Sequence, residues 1–568
     1  MKKNILFLIK TVCFVSLVTT MAPVYAAAAN GTTPDAGSIL KQIERELEKY
    51  ITPKEPPKKE KEEPKKSQAE GNKVIVKHFN FEGNKLIRAE ELEQSLKIYL
   101  NKEITLEELK LAVGSLSNFY RNRGYLAQAI LPPQDIKDGV IMVQIKEAKF
   151  GGAKLGNKTD EANYRIKPHI IQGFISQGNT KGAAFNLDKL DMSILLANEL
   201  PGARVQATLE AGEGENETDV VFNVENKKPW AAGINVDNFG SRGTGKTRYI
   251  ANGSLYSPLR LGDQLDVLGL HTEGSDFARI AYALPIGGRG LKVGLNNSFL
   301  KYDVLPALDS SELKPKGYSR TTGINATYPL YRSKVASLNL GTDYDRKYFK
   351  NNNINGNQNE YAVNVFSVNV NGFLANQWLY GGQTTGSLIS DIGRTGVYQE
   401  ATGLSLVQGH FSRFRWNVAQ TQFFREDISA TLRASGQLSN RNLNSSEKFY
   451  LGGTAGVRAY PTSEGYGSEG FLINAELRKS LPYNFYLTGF YDFGHVKQNV
   501  SGDPSSGPNT YSMKGYGTSI DWAGPYNSNF SAIWARRIGE NPQPTTTGLD
   551  QDGTRNLNMI WLKGAMNF

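Results

Sequence analysis

The sequence predicts an all-β transmembrane barrel of about 16 antiparallel strands, preceded by an N-terminal amphipathic helix and two small α+β domains. Three observations predict it. Over residues 229–568 apolar and polar residues alternate with a period of two, and the chain ends on an aromatic residue, Phe568. The 568 residues include 58 glycines, 27 tyrosines and 26 phenylalanines, yet only 39% are hydrophobic and the mean hydropathy is −0.42. A barrel reconciles these values, because alternate residues face lipid while aromatic residues collect at the two membrane interfaces. The N terminus, finally, has the build of an export signal.

Lys2, Lys3 and Lys10 flank and punctuate an apolar stretch from Ile5 to Val18, which is too short for a stable anchor. Small residues follow around Val24-Tyr25-Ala26, so residues 1–26 read as a signal peptide cleaved after Ala26. The only cysteine, Cys13, leaves with it, which removes disulfides, thiol catalysis and Cys-based metal sites together. Beyond Ala26 no apolar run is long enough for a helical span. Signal and barrel together place the chain in an outer membrane with its N-terminal domains in the periplasm. The net charge of +10 is spread along the chain and comes with no nucleic-acid motif.

Residues 27–51 hold a helix candidate in which Ile39, Ile43, Leu47 and Ile51 recur every four residues among charges, with Asp35 near its start. Residues 52–72 carry Pro53, Pro56, Pro57 and Pro64 among Lys and Glu; such a segment cannot bury a core and reads as a solvated linker. A short helix on a tether is marginal alone and needs a host.

Residues 73–149 read as β-α-α-β-β. Val74-Ile75-Val76 and Phe79-Asn80-Phe81 form an extended segment, and a helix spans Ala89 to Leu100. A second helix has Thr105 as N-cap with Glu108 at the capping-box spacing, and Leu106, Leu109, Val113, Leu116 and Tyr120 form its apolar stripe. Gly124 suits the left-handed position that ends it, before strands Tyr125–Leu131 and Val140–Ile145. Residues 150–226 repeat the order, with helices near Asn163–Gln177 and Leu187–Asn198 and strands Ala203–Glu210 and Thr218–Glu225 joined by Gly212 to Glu217.

Residues 227–568 are the barrel. About 340 residues at roughly twenty per strand and turn give 14 to 18 strands, an even number for a bacterial barrel. In the last strand Ile560, Leu562, Gly564, Met566 and Phe568 share one face, and Trp561, Lys563, Ala565 and Asn567 the other.

Val236 to Arg248, with Asp237-Asn238-Phe239-Gly240 at its start, resembles the first barrel hairpin of the two-partner secretion transporters. These are outer-membrane pores for filamentous haemagglutinins, haemolysins and contact-dependent inhibition toxins. Pro258-Leu259-Arg260-Leu261-Gly262-Asp263 resembles the approach to the next strand. Lys448 to Gly453 leading into Val457-Arg458-Ala459-Tyr460 resembles the family's lumen-loop signature, and Phe490-Tyr491-Asp492-Phe493-Gly494 its later F-x-D-x-G strand. The two α+β units resemble polypeptide-transport-associated domains, marked by Phe81-Glu82-Gly83-Asn84 and Tyr120 to Tyr125. The resemblance covers essentially all of the mature chain. The family usually has Gly where Ala459 stands, and the second α+β unit is the less typical one.

The resemblance implies a loop folded into the lumen, with Arg458 gripping Asp492 by two parallel hydrogen bonds and Gly494 letting the loop approach the wall. It implies that the helix carrying Ile39, Ile43, Leu47 and Ile51 plugs the lumen, and that Phe568 is part of the outer-membrane assembly signal. It also implies export of a large secreted β-helical adhesin, haemolysin or growth-inhibition toxin, with outer-membrane lipid, lipopolysaccharide and the assembly machinery as further partners. The exported chain adds a strand to a periplasmic sheet edge, and its folding outside biases movement, since no phosphate-binding loop supplies a fuel. A passive porin would not need the α+β units, and an assembly factor of the same superfamily usually has more of them. An enzyme lacks support: there is no G-x-S-x-G elbow or H-E-x-x-H, and His78, His169, His271, His410 and His495 are scattered. No cofactor or metal is expected.

Overall fold

A computed structural model describes residues 34–51 and 73–568, apart from 137, 157–162, 307, 309–312, 400–406, 463, 502–507 and 546. The expected signal and the Pro/Lys/Glu tract lie outside the described residues, as does the side chain of Ile51. Helix α1 (Ala36–Ile51) is started by a reciprocal cap. The Asp35 carboxylate accepts from the Ser38 N–H at 2.7 Å, and the Ser38 hydroxyl accepts from the Asp35 N–H at 3.1 Å.

The first α+β unit comprises β1 (Lys73–Ile75), β2 (His78–Glu82), α2 (Ala89–Ser95), β3 (Glu103–Thr105), α3 (Leu106–Asn122), β4 (Ala127–Ile130) and β5 (Val140–Glu147). β2 runs parallel to β5, which pairs antiparallel with β4. The expected extended segment is two strands, because β1 turns aside to pair with β3. The first helix ends at Ser95 and continues as a 3₁₀ turn, Lys97–Tyr99. The capping box at Thr105 and Glu108 is present, and Gly124 has φ +81°. Leu109, Val113, Leu116 and Tyr120 are buried, but Leu106 is 48% exposed. It is the first helical residue and sits on the rim that the cap turns outward.

The second unit has the same wiring: β6 (Lys149–Leu155), α4 (Pro168–Gln177), α5 (Leu187–Asn198), β7 (Ala203–Ala211) and β8 (Glu217–Asn226), with β8 between a parallel β6 and an antiparallel β7. Its first helix starts five residues later than the spacing suggested, where Pro168 occupies the first turn.

The barrel closes antiparallel from β9 (Trp230–Asp237) and β10 (Arg248–Tyr256) through β11 (Gln264–Thr272), β12 (Ser275–Ile286), β13 (Leu291–Asp303), β14 (Lys316–Arg332), β15 (Ala336–Asn353), β16 (Gly356–Asn376), β17 (Gly382–Gln399), β18 (Gly409–Phe423) and β19 (Ile428–Ser439). After a long loop holding the short strands β20 (Phe449–Tyr450) and β21 (Tyr466–Gly467) come β22 (Glu469–Leu481), β23 (Phe485–Lys497), β24 (Thr510–Ala523), β25 (Ser528–Arg537) and β26 (Asn558–Asn567), which returns to β9. That is 16 wall strands, within the 14 to 18 expected from the length of the segment. Among the described residues no helix is long and apolar enough to cross a membrane; strands do the crossing. Ile560, Leu562 and Phe568 point outward at 61, 52 and 47% exposure while Trp561 between them is buried, the two faces expected of the last strand.

The second unit is joined to the barrel at the turn between β10 and β11. Asp263 fixes that turn by accepting from the Leu259 and Leu261 N–H groups, 3.2 Å each, and from the Tyr282 hydroxyl at 2.8 Å. Arg260, held at φ +64°, then donates to the Tyr164 carbonyl at 3.1 Å and accepts from the Lys167 N–H at 3.1 Å. Arg332 pairs with Glu199 beside it.

Candidate functional site in the barrel lumen

The loop between β19 and β22 does not stay outside. Its root is a 3₁₀ turn, Ser445–Glu447, and its tip, Val457 to Tyr460, is fully or almost fully buried against β22, β23 and β24. Arg458 is the centre of that contact. Its Nε and Nη2 grip the two Asp492 oxygens at 2.9 and 2.7 Å, and its own backbone N–H donates to Asp492 Oδ2 at 3.0 Å. Nη1 reaches Glu476 Oε1 at 2.8 Å, and the guanidinium carbon lies 3.5 Å from the centre of the Phe490 ring. Burial works against the Arg458 charge, but the Asp492 and Glu476 carboxylates outweigh it and raise the guanidinium pKa further.

The sequence motifs supplied Arg458, Asp492, Phe490 and Gly494, and the fold brings all four together. At Gly494 a Cβ would stand 2.6 Å from Leu451 Cδ2 and 3.1 Å from Val457 Cγ2, so the loop lies against the wall there. Tyr460 stacks beneath Arg537, 4.6 Å from ring centre to guanidinium. Ala459 is not among the positive-φ residues, so its side chain strains no backbone. Its methyl fits because the facing wall residue is Gly515, where a Cβ would lie only 2.5 Å away.

Other partners were not legible. Asn474 Nδ2 bridges Asp492 Oδ1 and the Gly456 carbonyl at 2.7 and 3.1 Å, and Trp561 Nε1 donates to the Arg458 carbonyl at 2.8 Å. Thr462 reaches the Phe239 carbonyl at 2.9 Å. A buried Arg248–Asp237 pair, 2.7 and 2.9 Å, ties the first hairpin below it. For Asn474 and Thr462 the only sequence signal was an ordinary polar residue, which barrels have in quantity; Asp237, Phe239 and Arg248 stand in the first-hairpin motif, which did not say what they pair with.

α1 lies against the same loop and the inner wall. Ala36, Ile39, Leu40, Ile43 and Leu47 pack on Ile250, Leu270, Leu300, Tyr302, Phe349, Tyr361, Val363 and Phe411, which line the wall from β10 to β18. Its polar face meets the loop. Glu46 accepts from the Thr454 hydroxyl at 2.6 Å and the Ala455 N–H at 2.9 Å, and Arg45 donates to the Tyr450 and Gly452 carbonyls. At the loop root Glu447 lies between Lys347 and Arg413, 3.0 and 2.9 Å away; burial alone would raise its pKa, but the two cations hold it down at about 2.

The comparisons with known proteins agree with this arrangement. Residues 216–519, more than half of the chain, match the haemolysin secretion/activation protein family ShlB/FhaC/HecB, and residues 74–148 match a POTRA domain of the ShlB type. The chain is 26% identical over 527 residues to the heme/hemopexin transporter protein HuxB of Haemophilus influenzae, covering 88% of this chain and 90% of the relative. It is 23% identical to the outer membrane transporter CdiB of Dickeya dadantii, over 72% of this chain and 74% of that one. In fold it resembles CdiB from Escherichia coli, with a TM-score of 0.69 at 17% identity over 94% of this chain and 99% of that one. The chain belongs to the haemolysin secretion/activation family of outer-membrane transporters, whose members carry exoproteins by two-partner secretion.

Proposed function

We propose that the chain exports one large unfolded exoprotein through a lumen that α1 and the loop clasped by Arg458 keep shut at rest. The observation that carries this reading is the double contact of the lumen loop: Arg458 at its tip fastened to Asp492, and Tyr450 to Ala455 before the tip holding Arg45 and Glu46 of α1. Export requires both to yield. The segments that serve it are a signal over residues 1–26, the plug over 27–51, a linker over 52–72, transport-associated domains over 73–149 and 150–226, and the pore over 227–568.

The exported partner is a large β-helical adhesin, haemolysin or growth-inhibition toxin. HuxB, CdiB of Dickeya dadantii and the hemolysin transporter HpmB of Proteus mirabilis are named for heme/hemopexin transport, outer-membrane transport and haemolysin transport, and their cargoes are the first classes to try. An unfolded segment adds a strand to an open edge of a periplasmic sheet, β2 or β4 in the first unit, and enters the lumen as α1 withdraws. Folding outside then draws it onward without ATP. The chain performs no covalent chemistry in this reading. Outer-membrane lipid, lipopolysaccharide and the assembly machinery that recognises Phe568 are its other partners.

The test is export. A candidate exoprotein is co-expressed with the full chain, and exoprotein in the medium is normalised to folded barrel in the membrane. The reading expects export that depends on the chain and on Arg458 and Asp492. Chain-dependent export that ignores both residues would sink the clasp, and small-solute permeability without export of any candidate would point to a porin.

A further inference from the structure

We propose that the 3₁₀ turn Ser445–Glu447 is a joint through which the lumen helix and the lumen loop hold each other, with Glu447 as the positioning residue that seats this joint on the barrel wall. The proposal rests on reading α1 as a removable plug.

One side of the turn receives the start of α1. The Ser445 hydroxyl reaches both oxygens of the Asp35 carboxylate, 2.9 Å each, so the residue that caps the helix is also tied to the loop. Gly37 lies directly on the turn: a Cβ there would stand 2.6 Å from Ser445 Oγ, 2.9 Å from the Tyr361 hydroxyl and 3.0 Å from the Ser446 nitrogen. Only a residue without a side chain lets the helix come this close. The Ala36 N–H, one of the donors a helix start leaves unpaired, goes to Asn351 Oδ1 of the wall at 2.9 Å.

The other side of the turn is held by charge. Glu447 is fully buried, with Lys347 of β15 and Arg413 of β18 on its two oxygens. Its backbone carbonyl accepts from Arg413 Nη1 at 2.8 Å and from Gln437 Nε2 at 3.0 Å. Arg413 is itself aimed by Asp391, 2.7 Å from its Nε. Main chain and side chain are therefore fixed by the same cation. Buried ion groups of this kind add little net stability but define geometry, because any displacement leaves a charge without its partner. This anchor is separate from the Arg458 group, which uses β22 and β23. Loss of the seat at Glu447 frees the joint and with it the helix start, while the loop tip stays clasped.

The experiment uses the full chain with Ala36→Cys, a fully buried position at the helix start that leaves Gly37 and Ser445 in place; the sequence has no other cysteine outside Cys13. A polar maleimide is expected to label this thiol slowly. Adding Glu447→Gln, or separately Lys347→Met, is expected to speed the labelling at least five-fold. In the cysteine-free chain the same changes are expected to raise mean conductance in planar bilayers at least two-fold, with the barrel still heat-modifiable. Fast labelling of the parent, or a labelling rate and conductance unmoved by both changes, overturns the proposal. If Glu447→Gln prevents assembly, Lys347→Met decides alone, because Glu447 then keeps Arg413. No exported partner enters the measurement, so failure of export and failure of the joint are read separately.

Discussion

At the scale of the residue, Arg458 shows why one guanidinium is enough to fix a loop. It spends three N–H groups on two carboxylates, adds its own backbone N–H, and covers an aromatic face. Breaking a fully buried pair by removing one partner costs about 3–5 kcal/mol, and less where water enters. Arg458→Ala and Asp492→Ala are each expected to reduce export sharply with the barrel assembled. The double variant is expected to fall short of the summed losses, since neither charge is left orphaned; fully additive losses would mean that the residues act apart. Glu476 remains beside Arg458 and softens the Asp492 loss, which ranks Arg458→Ala as the worse single change. Ala459 gives a second prediction. Gly515→Ala brings two Cβ atoms within about 2.5 Å and is expected to weaken export and lower the unfolding temperature of the loop. Ala459→Gly on top of it is expected to restore much of both, while leaving the wild-type background nearly unchanged. A Gly515→Ala chain indistinguishable from wild type would show that the loop tip does not sit as tightly as the geometry requires.

Elements carry the next level. α1 has an apolar stripe and a cap, yet one short helix cannot hold itself in water; the barrel wall and the loop supply the burial it lacks. Deleting residues 34–51 is therefore expected to leave the barrel folded and to raise single-channel conductance several-fold in planar bilayers. Unchanged conductance would mean that the lumen loop alone closes the pore. The helix was legible from the spacing of Ile39, Ile43 and Leu47, and its cap from Asp35. Its seat was not, because Asp35, Gly37, Arg45 and Glu46 find partners more than 300 residues away. In the α+β units the capping box at Thr105 was readable because it is local, whereas the split of β1 from β2 came from a pairing with β3 that no period announces.

For the whole molecule the question is how the barrel closes. β9 and β26 pair only from Asp237↔Lys563 to Gly233↔Asn567, a shorter ladder than those between β9 and β10 or between β25 and β26. The lumen loop touches both sides of this seam, through Trp561 on β26 and Phe239 beyond β9. The terminal residue also takes part: the Phe568 N–H donates to the Ala232 carbonyl at 2.9 Å. A charge near the membrane interface costs only about 0–1 kcal/mol on a lipid-facing strand. A large effect of Phe568→Lys must therefore arise in assembly and not from the finished barrel. The expected result is several-fold less heat-modifiable protein in the outer membrane, with the surviving fraction normal in thermal stability. Normal amounts would show that the aromatic terminus is not read during insertion.

The sequence by itself determined the class of every large part: a period of two for the wall, a period near four for the helices, turn residues and caps at their ends. These are local properties, set by which atoms a residue and its near neighbours can bury or bond. That Arg458 and Asp492 belong together came from the resemblance of two motifs to a known family, not from any local property of the residues. Only the tertiary structure decided what surrounds them. Closing 16 strands with one register brings Asn474, Glu476 and Trp561 to the same point of the lumen and sets Gly515 opposite Ala459. It likewise places Glu447 between cations from two distant strands. The physical reason is that a barrel's interior is defined by shear and closure, which are properties of all the strands together; a one-residue change in any register would turn those side chains to the lipid.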